Sequence, residues 1–109
     1  MGRTDALQGA LPLLVLTILS RRGPLHGYAI TTHIEQISGS ILRVEEGSLY
    51  PALHRMEEAG WIKARWTTTE HNRRARTYEI TTTGRKELGA ESSKWHTITG
   101  AIAQVLEHA

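Results

Sequence analysis

An α+β fold, mostly α, is predicted by three features of this 109-residue chain: apolar residues at helical spacing near both ends, two alternating segments between residues 62 and 80, and a short amphipathic stretch just ahead of them. At this length the chain makes one folding unit, with enough residues for a single core and little decoration. It divides into residues 1–81, which carry the mixed part, and residues 82–109, a terminal helix. There is no cysteine, so disulfides, thiol catalysis and cysteine-ligated zinc are excluded.

The first helix is marked by Leu7, Leu11, Leu13, Leu14, Val15, Leu16, Ile18 and Leu19. Proline fits best in a first turn, so Pro12 predicts a start near Ala10 or Leu11, and Arg22-Gly23-Pro24 predicts the end. Apolar residues run nearly all the way round this helix, which therefore needs cover on more than one side; in so small a chain a second subunit is the simplest source. The same run is not a signal peptide, because only one basic residue precedes it and Ser20-Arg21-Arg22 follows. It is also too short to cross a bilayer, so the expectation is a cytoplasmic protein without membrane contact.

Leu25-His26-Gly27-Tyr28 opens a second helix with Ala29, Ile30, Ile34 and Ile37 as its buried stripe, ended by Ser38-Gly39-Ser40. His26 and His33 fall two turns apart on it, too far to share a metal unaided, and no metal site or cofactor is expected. Ile41-Leu42-Arg43-Val44 is short and β-branched enough to form a minor strand.

The segment V-E-E-G-S-L-Y-P-A-L-H-R-M-E-E-A-G, from Val44 to Gly60, forms the third helix. Leu49, Leu53 and Met56 recur at i, i+4 and i+7 and face a core, leaving Ser48, Tyr50, His54 and Arg55 on the other side. Ser48 is a natural N-cap, which would place Pro51 at the third helical position, where its missing N–H costs nothing, and Gly60 terminates the helix. A helix tip carrying hydroxyls, free backbone N–H groups and a positive dipole end suits phosphates and base edges. The plainer reading of the same pattern is an amphipathic surface helix.

Beyond Gly60 the period changes to two. Ile62, Ala64 and Trp66 alternate with Lys63 and Arg65, and Arg76-Thr77-Tyr78-Glu79-Ile80 repeats the pattern with Tyr78 and Ile80 inward. The polar run T-T-T-E-H-N-R-R-A between them predicts a hairpin with a protruding tip bearing Arg73 and Arg74. Charge gathers at this hairpin: residues 61–86 carry seven basic and two acidic side chains, against five and six before them and one and three after. A positive island in a near-neutral chain is what a localised phosphate contact requires.

Thr81 caps a last helix from about Thr82 to Glu107, on which Leu88, Trp95, Ile98, Ile102 and Val105 form an a/d seam. With little core left to cover, this seam calls for a partner helix, and self-association as a homodimer is the simplest source. Glu91 in the seam, with Gly89 and Gly100, predicts a short and imperfect packing. Trp95 reads first as interface packing, and two indoles brought together by a dimer axis could also wall a slot for a flat aromatic effector.

Three helices, a two-stranded wing and a dimerising terminal helix compose a winged helix-turn-helix. L-H-G-Y-A-I at 25–30, E-E-G-S-L-Y-P-A-L-H-R-M-E at 45–57, G-W-I at 60–62 and R-R-A-R-T-Y-E-I-T-T-T-G-R at 73–85 resemble the PadR family of bacterial transcriptional regulators, in its compact members, over nearly the whole chain. The resemblance implies a homodimeric repressor on near-palindromic double-stranded operator DNA, released by a small molecule or another signal. It places Ser48, Tyr50, Pro51, His54 and Arg55 in the major groove and Arg73, Arg74 and Arg76 on the wing along the neighbouring minor groove. Glu45 and Glu46 would repel phosphates and are expected to face away from DNA. An enzyme is not expected, since the chain offers no nucleophile, base and orienter in a set and no catalytic residue is assigned. A winged-helix protein-interaction module and a metal-responsive regulator remain as alternatives, the latter because six histidines are available.

Overall fold

Leu11, Val15, Leu16, Ile18 and Leu19 make the first helix the spine of the core, and everything else packs around it. In the computed structural model, which describes residues 2–109 and side chains from residue 7 onward, the order is α1 (Gly2–Arg22), β1 (Leu25–His26), α2 (Gly27–Ile37), α3 (Glu46–Glu58), β2 (Ile62–Thr68), β3 (Arg74–Ile80) and α4 (Thr82–His108). Ile30 and Ile34 of α2, Leu49, Leu53 and Met56 of α3, Ile62 of β2 and Tyr78 and Ile80 of β3 close on the α1 spine in one cluster. Each large aliphatic buried this way contributes roughly 1.5–3 kcal/mol.

The three strands form one antiparallel sheet in the order β1-β3-β2. Leu25 pairs with Tyr78 and His26 with Thr77, so the residues expected to open the second helix are an edge strand, and α2 begins at Gly27. The edge of β3 is thereby taken, and Ile41–Val44, expected as a strand, runs as an irregular link whose Leu42 and Val44 lean on the core. Ile37 is exposed rather than part of the α2 stripe, because it is the last residue of a helix whose end outruns the core.

Two helices start earlier than expected. α1 already runs at Gly2, which leaves Pro12 in its interior. An internal proline removes one i→i−4 hydrogen bond of α1 and costs about 3 kcal/mol. The corresponding shift in α3 bears on the candidate site and is described with it.

α4 begins where expected. The Thr81 hydroxyl oxygen accepts from the Gly84 N–H at 3.0 Å, as an N-cap does, and the Thr81 N–H donates to the Trp61 carbonyl at 3.0 Å. Its first turns lie against α1, with Arg85 Nη1 donating to Ser20 Oγ at 3.2 Å and Leu88 packed on the core. Further along, Ile98, Ile102 and Val105 are 38%, 53% and 64% exposed, as the end of the 27-residue helix leaves the rest of the molecule. Among the described residues no helix is long and apolar enough to cross a membrane.

Candidate nucleic-acid interface

Helix α3 is anchored by its apolar side. Leu49, Ala52, Leu53 and Met56 are buried, and Tyr50, Pro51, His54 and Arg55 stand exposed on the opposite side. The N-cap is Glu45 in extended conformation, whose carbonyl accepts from the N–H groups of Ser48 at 3.0 Å and Leu49 at 2.9 Å. Ser48 is therefore inside the first turn and is not the cap. Its half-buried hydroxyl accepts instead from Gln8 Nε2 of α1 at 3.3 Å. Pro51 becomes the sixth residue of the helix rather than the third, and one intrahelical hydrogen bond is lost there. The far end closes as expected. Gly60, at φ 81°, reverses the chain while its N–H donates to the Glu57 carbonyl and the Trp61 N–H to the Met56 carbonyl, both at 3.0 Å.

Tyr50 leans over the start of α2. A Cβ at Gly27 would stand 2.8 Å from the Tyr50 hydroxyl, so the glycine of the L-H-G-Y run makes room for that ring. His54 Nε2 lies 3.6 Å from Glu58 Oε2, an exposed contact one turn along the helix.

The wing is the β2–β3 hairpin, with Ile62 opposite Ile80 and Thr68 opposite Arg74. Only residues 69–73 lie outside the strands, fewer than the polar run suggests. The Thr69 N–H donates to the Arg73 carbonyl at 2.7 Å, the Asn72 N–H to the Thr69 carbonyl at 2.9 Å, and Asn72 takes the left-handed conformation that this tight tip requires. Arg73 is exposed at the tip, and the Arg74 guanidinium sits 5.2 Å from the centre of the Trp66 ring. The alternation predicts Trp66 inward with Ile62 and Ala64. Instead it is 58% exposed, because the hairpin extends past the helices that cover its base.

Arg76 is placed differently from the other two wing arginines. Its Nη2 donates to Glu57 Oε2 of α3 at 3.0 Å, and its guanidinium lies 5.9 Å from the Trp66 ring centre and 6.0 Å from that of Tyr78. Burial raises the Tyr78 phenol above its ordinary pKa, with Arg76 lowering it and Glu57 and Tyr50 raising it. Between α3 and the wing these side chains bound an open cleft of about 480 Å³, which Tyr28, Tyr50, His54, Glu57, Trp66 and Arg76 help to line. Across the sheet, His26 Nδ1 lies 3.1 Å from Thr77 Oγ1, which lies 2.6 Å from Thr67 Oγ1.

The fold thus gathers Tyr50, Pro51, His54 and Arg55 on one helix face and Arg73 and Arg74 on the adjoining wing. Reasoning from the sequence misses Glu57, Trp66 and Tyr28 as members of this surface. Glu57 and Arg76 are 19 positions apart on different elements, and no periodicity links them. Of the five seam residues on α4, Leu88 packs on its own chain's core, Trp95 is half-buried, and the remaining three stand exposed. The Trp95 Nε1–H is buried without a hydrogen-bond partner among the described residues.

Comparisons with known proteins agree with this architecture. The family model for the transcriptional regulator PadR-like family matches residues 15–90. A solved transcriptional regulator from Clostridium thermocellum superposes with a TM-score of 0.82 at 27% identity, over 92% of this chain and 96% of that one. The structure of Bacillus subtilis PadR in complex with operator DNA superposes with a TM-score of 0.65 at 28% identity, over 74% of this chain and 44% of that one. An uncharacterized 37.1 kDa protein in a transposon of Streptomyces fradiae is 39% identical over 83% of this chain, which spans only 24% of that relative. With its winged helix-turn-helix and a family match across most of its length, the chain belongs to the PadR-like family, whose members are transcriptional regulators and not enzymes.

Proposed function

We propose that the protein is a cytoplasmic repressor that binds double-stranded operator DNA as a homodimer and is released by a small aromatic effector. The observation that carries the DNA-binding reading is the single exposed surface formed by α3 and the wing. Tyr50, Pro51, His54 and Arg55 on this surface enter the major groove, with Ser48 beside them in the first turn, and Arg73 and Arg74 lie on the neighbouring backbone and minor groove. The likeness to Bacillus subtilis PadR, solved with operator DNA, supports the same use of this surface.

Selection of bound fragments from random duplex DNA is expected to return a palindrome with half-sites about one helical turn, or a multiple of it, apart. With that operator, Arg73→Ala or Arg74→Ala should weaken binding to all duplexes alike and lower the slope of log affinity against log salt by about 0.9 for each phosphate no longer neutralised. Tyr50→Ala and His54→Ala should cost the operator roughly 1–3 kcal/mol and leave random duplex nearly unchanged. Equal losses on both DNAs would make α3 a positioning element. A protein-interaction module predicts no salt-dependent affinity for duplex DNA at all.

Effector release is supported by Trp95, whose buried Nε1–H has no acceptor among the described residues and can donate to a bound molecule. Planar aromatic compounds titrated against tryptophan fluorescence should give a saturable change that Trp95→Ala removes. A signal that survives this substitution arises from Trp61 or Trp66 and ends the slot reading.

A further inference from the structure

Arg74 and Arg76 point from the same strand toward the same indole, yet their charges are differently engaged. Arg74 lies over the Trp66 ring near the wing tip, with no carboxylate within ion-pair distance among the described residues. Arg76 donates to Glu57 at 3.0 Å, the shortest ion pair among the described residues, where the others span 3.6–3.9 Å. The Glu57 side chain is only 25% exposed, and the Arg76 guanidinium is flanked by the rings of Trp66 and Tyr78. Exposed surface pairs contribute little because water screens them and long side chains lose freedom. Here the rings restrict the guanidinium beforehand and shield the pair on its flank, which favours a fixed arrangement.

The geometry points to a latch. We propose that Glu57 and Arg76, seated on Trp66, set the angle between the recognition helix and the wing, so that Arg76 is a positioning residue for operator recognition and does not bind phosphate. The pair is the only ion pair among the described residues that joins α3 to the hairpin. The base of the hairpin is held in the core by Ile62, Tyr78 and Ile80, and the Glu57–Arg76 pair ties the part that extends beyond it to α3. Fixing this angle lets the helix reach base edges and the wing tip reach the backbone in one rigid docking, which is how preorganisation adds to affinity.

This inference rests on the DNA-binding reading, and the experiment separates the two. Operator and random duplex binding are measured by fluorescence anisotropy over a salt series for the full chain, Glu57→Gln, Arg76→Ala, Arg76→Lys and the Glu57→Gln/Arg76→Ala double variant. Removing an acidic side chain beside DNA strengthens binding to any duplex if charge alone acts, so a loss in Glu57→Gln cannot come from charge. The latch predicts that Glu57→Gln and Arg76→Ala each weaken operator binding by about ten-fold or more. It also predicts that the double variant is no worse than either single change, that Arg76→Lys recovers part of the loss, and that the salt slope and thermal midpoint hold. Selectivity for operator over random duplex should fall in step. The latch is overturned if Glu57→Gln tightens binding, or if Arg76→Ala lowers the salt slope by about 0.9 while Glu57→Gln is silent, since Arg76 would then neutralise a phosphate. It is likewise overturned if neither variant changes operator binding. Failure of the unaltered protein to bind any duplex would instead refute the DNA-binding reading itself.

Discussion

Replacing Gly84 by alanine is expected to lower the thermal midpoint by about 4–24 °C, taking about 1–3 kcal/mol of net destabilisation and 4–8 °C per kcal/mol for a domain of this size. A Cβ at Gly84 would stand 2.0 Å from the Trp61 carbonyl oxygen and 2.8 Å from Ile80 Cγ1. The carbonyl cannot yield cheaply, because it accepts from the backbone N–H of Thr81 at 3.0 Å, while the Thr81 hydroxyl donates to the neighbouring Gly60 carbonyl at 2.6 Å and its oxygen in turn caps α4. Its residue also closes the end of α3, where the Trp61 N–H donates to Met56. The first turn of α4 must therefore lift away, with an overpacking cost of about 1–3 kcal/mol and loss of a cap worth about 1 kcal/mol. The better helix propensity of alanine returns about 1 kcal/mol, too little to reverse the sign. Gly89→Ala serves as the control, since nothing lies within 4 Å of its added methyl, and a slight stabilisation is expected there. Differential scanning calorimetry decides the matter; an unchanged or raised midpoint for Gly84→Ala would mean that α4 does not seat on the Trp61 corner.

The second large effect concerns association. Ile98→Glu with Ile102→Glu is expected to abolish the proposed homodimer, weakening association about a thousand-fold or more, equivalent to ~4 kcal/mol. In one protomer these side chains are 38% and 53% exposed, so the added carboxylates remain in water and the protomer itself should lose little stability. In a packed seam between two α4 helices each would be an unpaired buried charge, at a cost of several kcal/mol. Sedimentation velocity should show the shift while circular dichroism and the thermal midpoint hold. A dimer that persists would remove α4 from the interface and leave α1 as the surface to test.

What is legible in the sequence depends on period and local chemistry. The Leu49, Leu53 and Met56 stripe specifies which side of α3 faces the core and hence which side faces outward, because the side chains of a helix return every 3.6 residues. The Thr81 cap, the Gly60 stop and the alternation of Ile62 with Lys63 are readable for similar reasons, each being decided within a few residues. Local rules mislead where tertiary energy exceeds them. Pro12 and Ser48 both suggest later helix starts, yet α1 and α3 run through them, the Ser48 hydroxyl accepting from Gln8 of α1 instead of capping α3.

By itself, then, the sequence determined the fold class, the family, the exposed face of α3 and the basic hairpin beside it, because each is written in residues close together along the chain. Only the tertiary structure decided that Leu25-His26 completes the sheet, that Gly84 lies against the Trp61 carbonyl, and that Arg76 of the basic run is held by Glu57 while Arg73 remains at the tip. These are encounters between residues far apart in sequence. A strand needs a free edge to pair with, a glycine a backbone to approach and an arginine a carboxylate to meet, and packing around α1 is what brings each of those partners within reach.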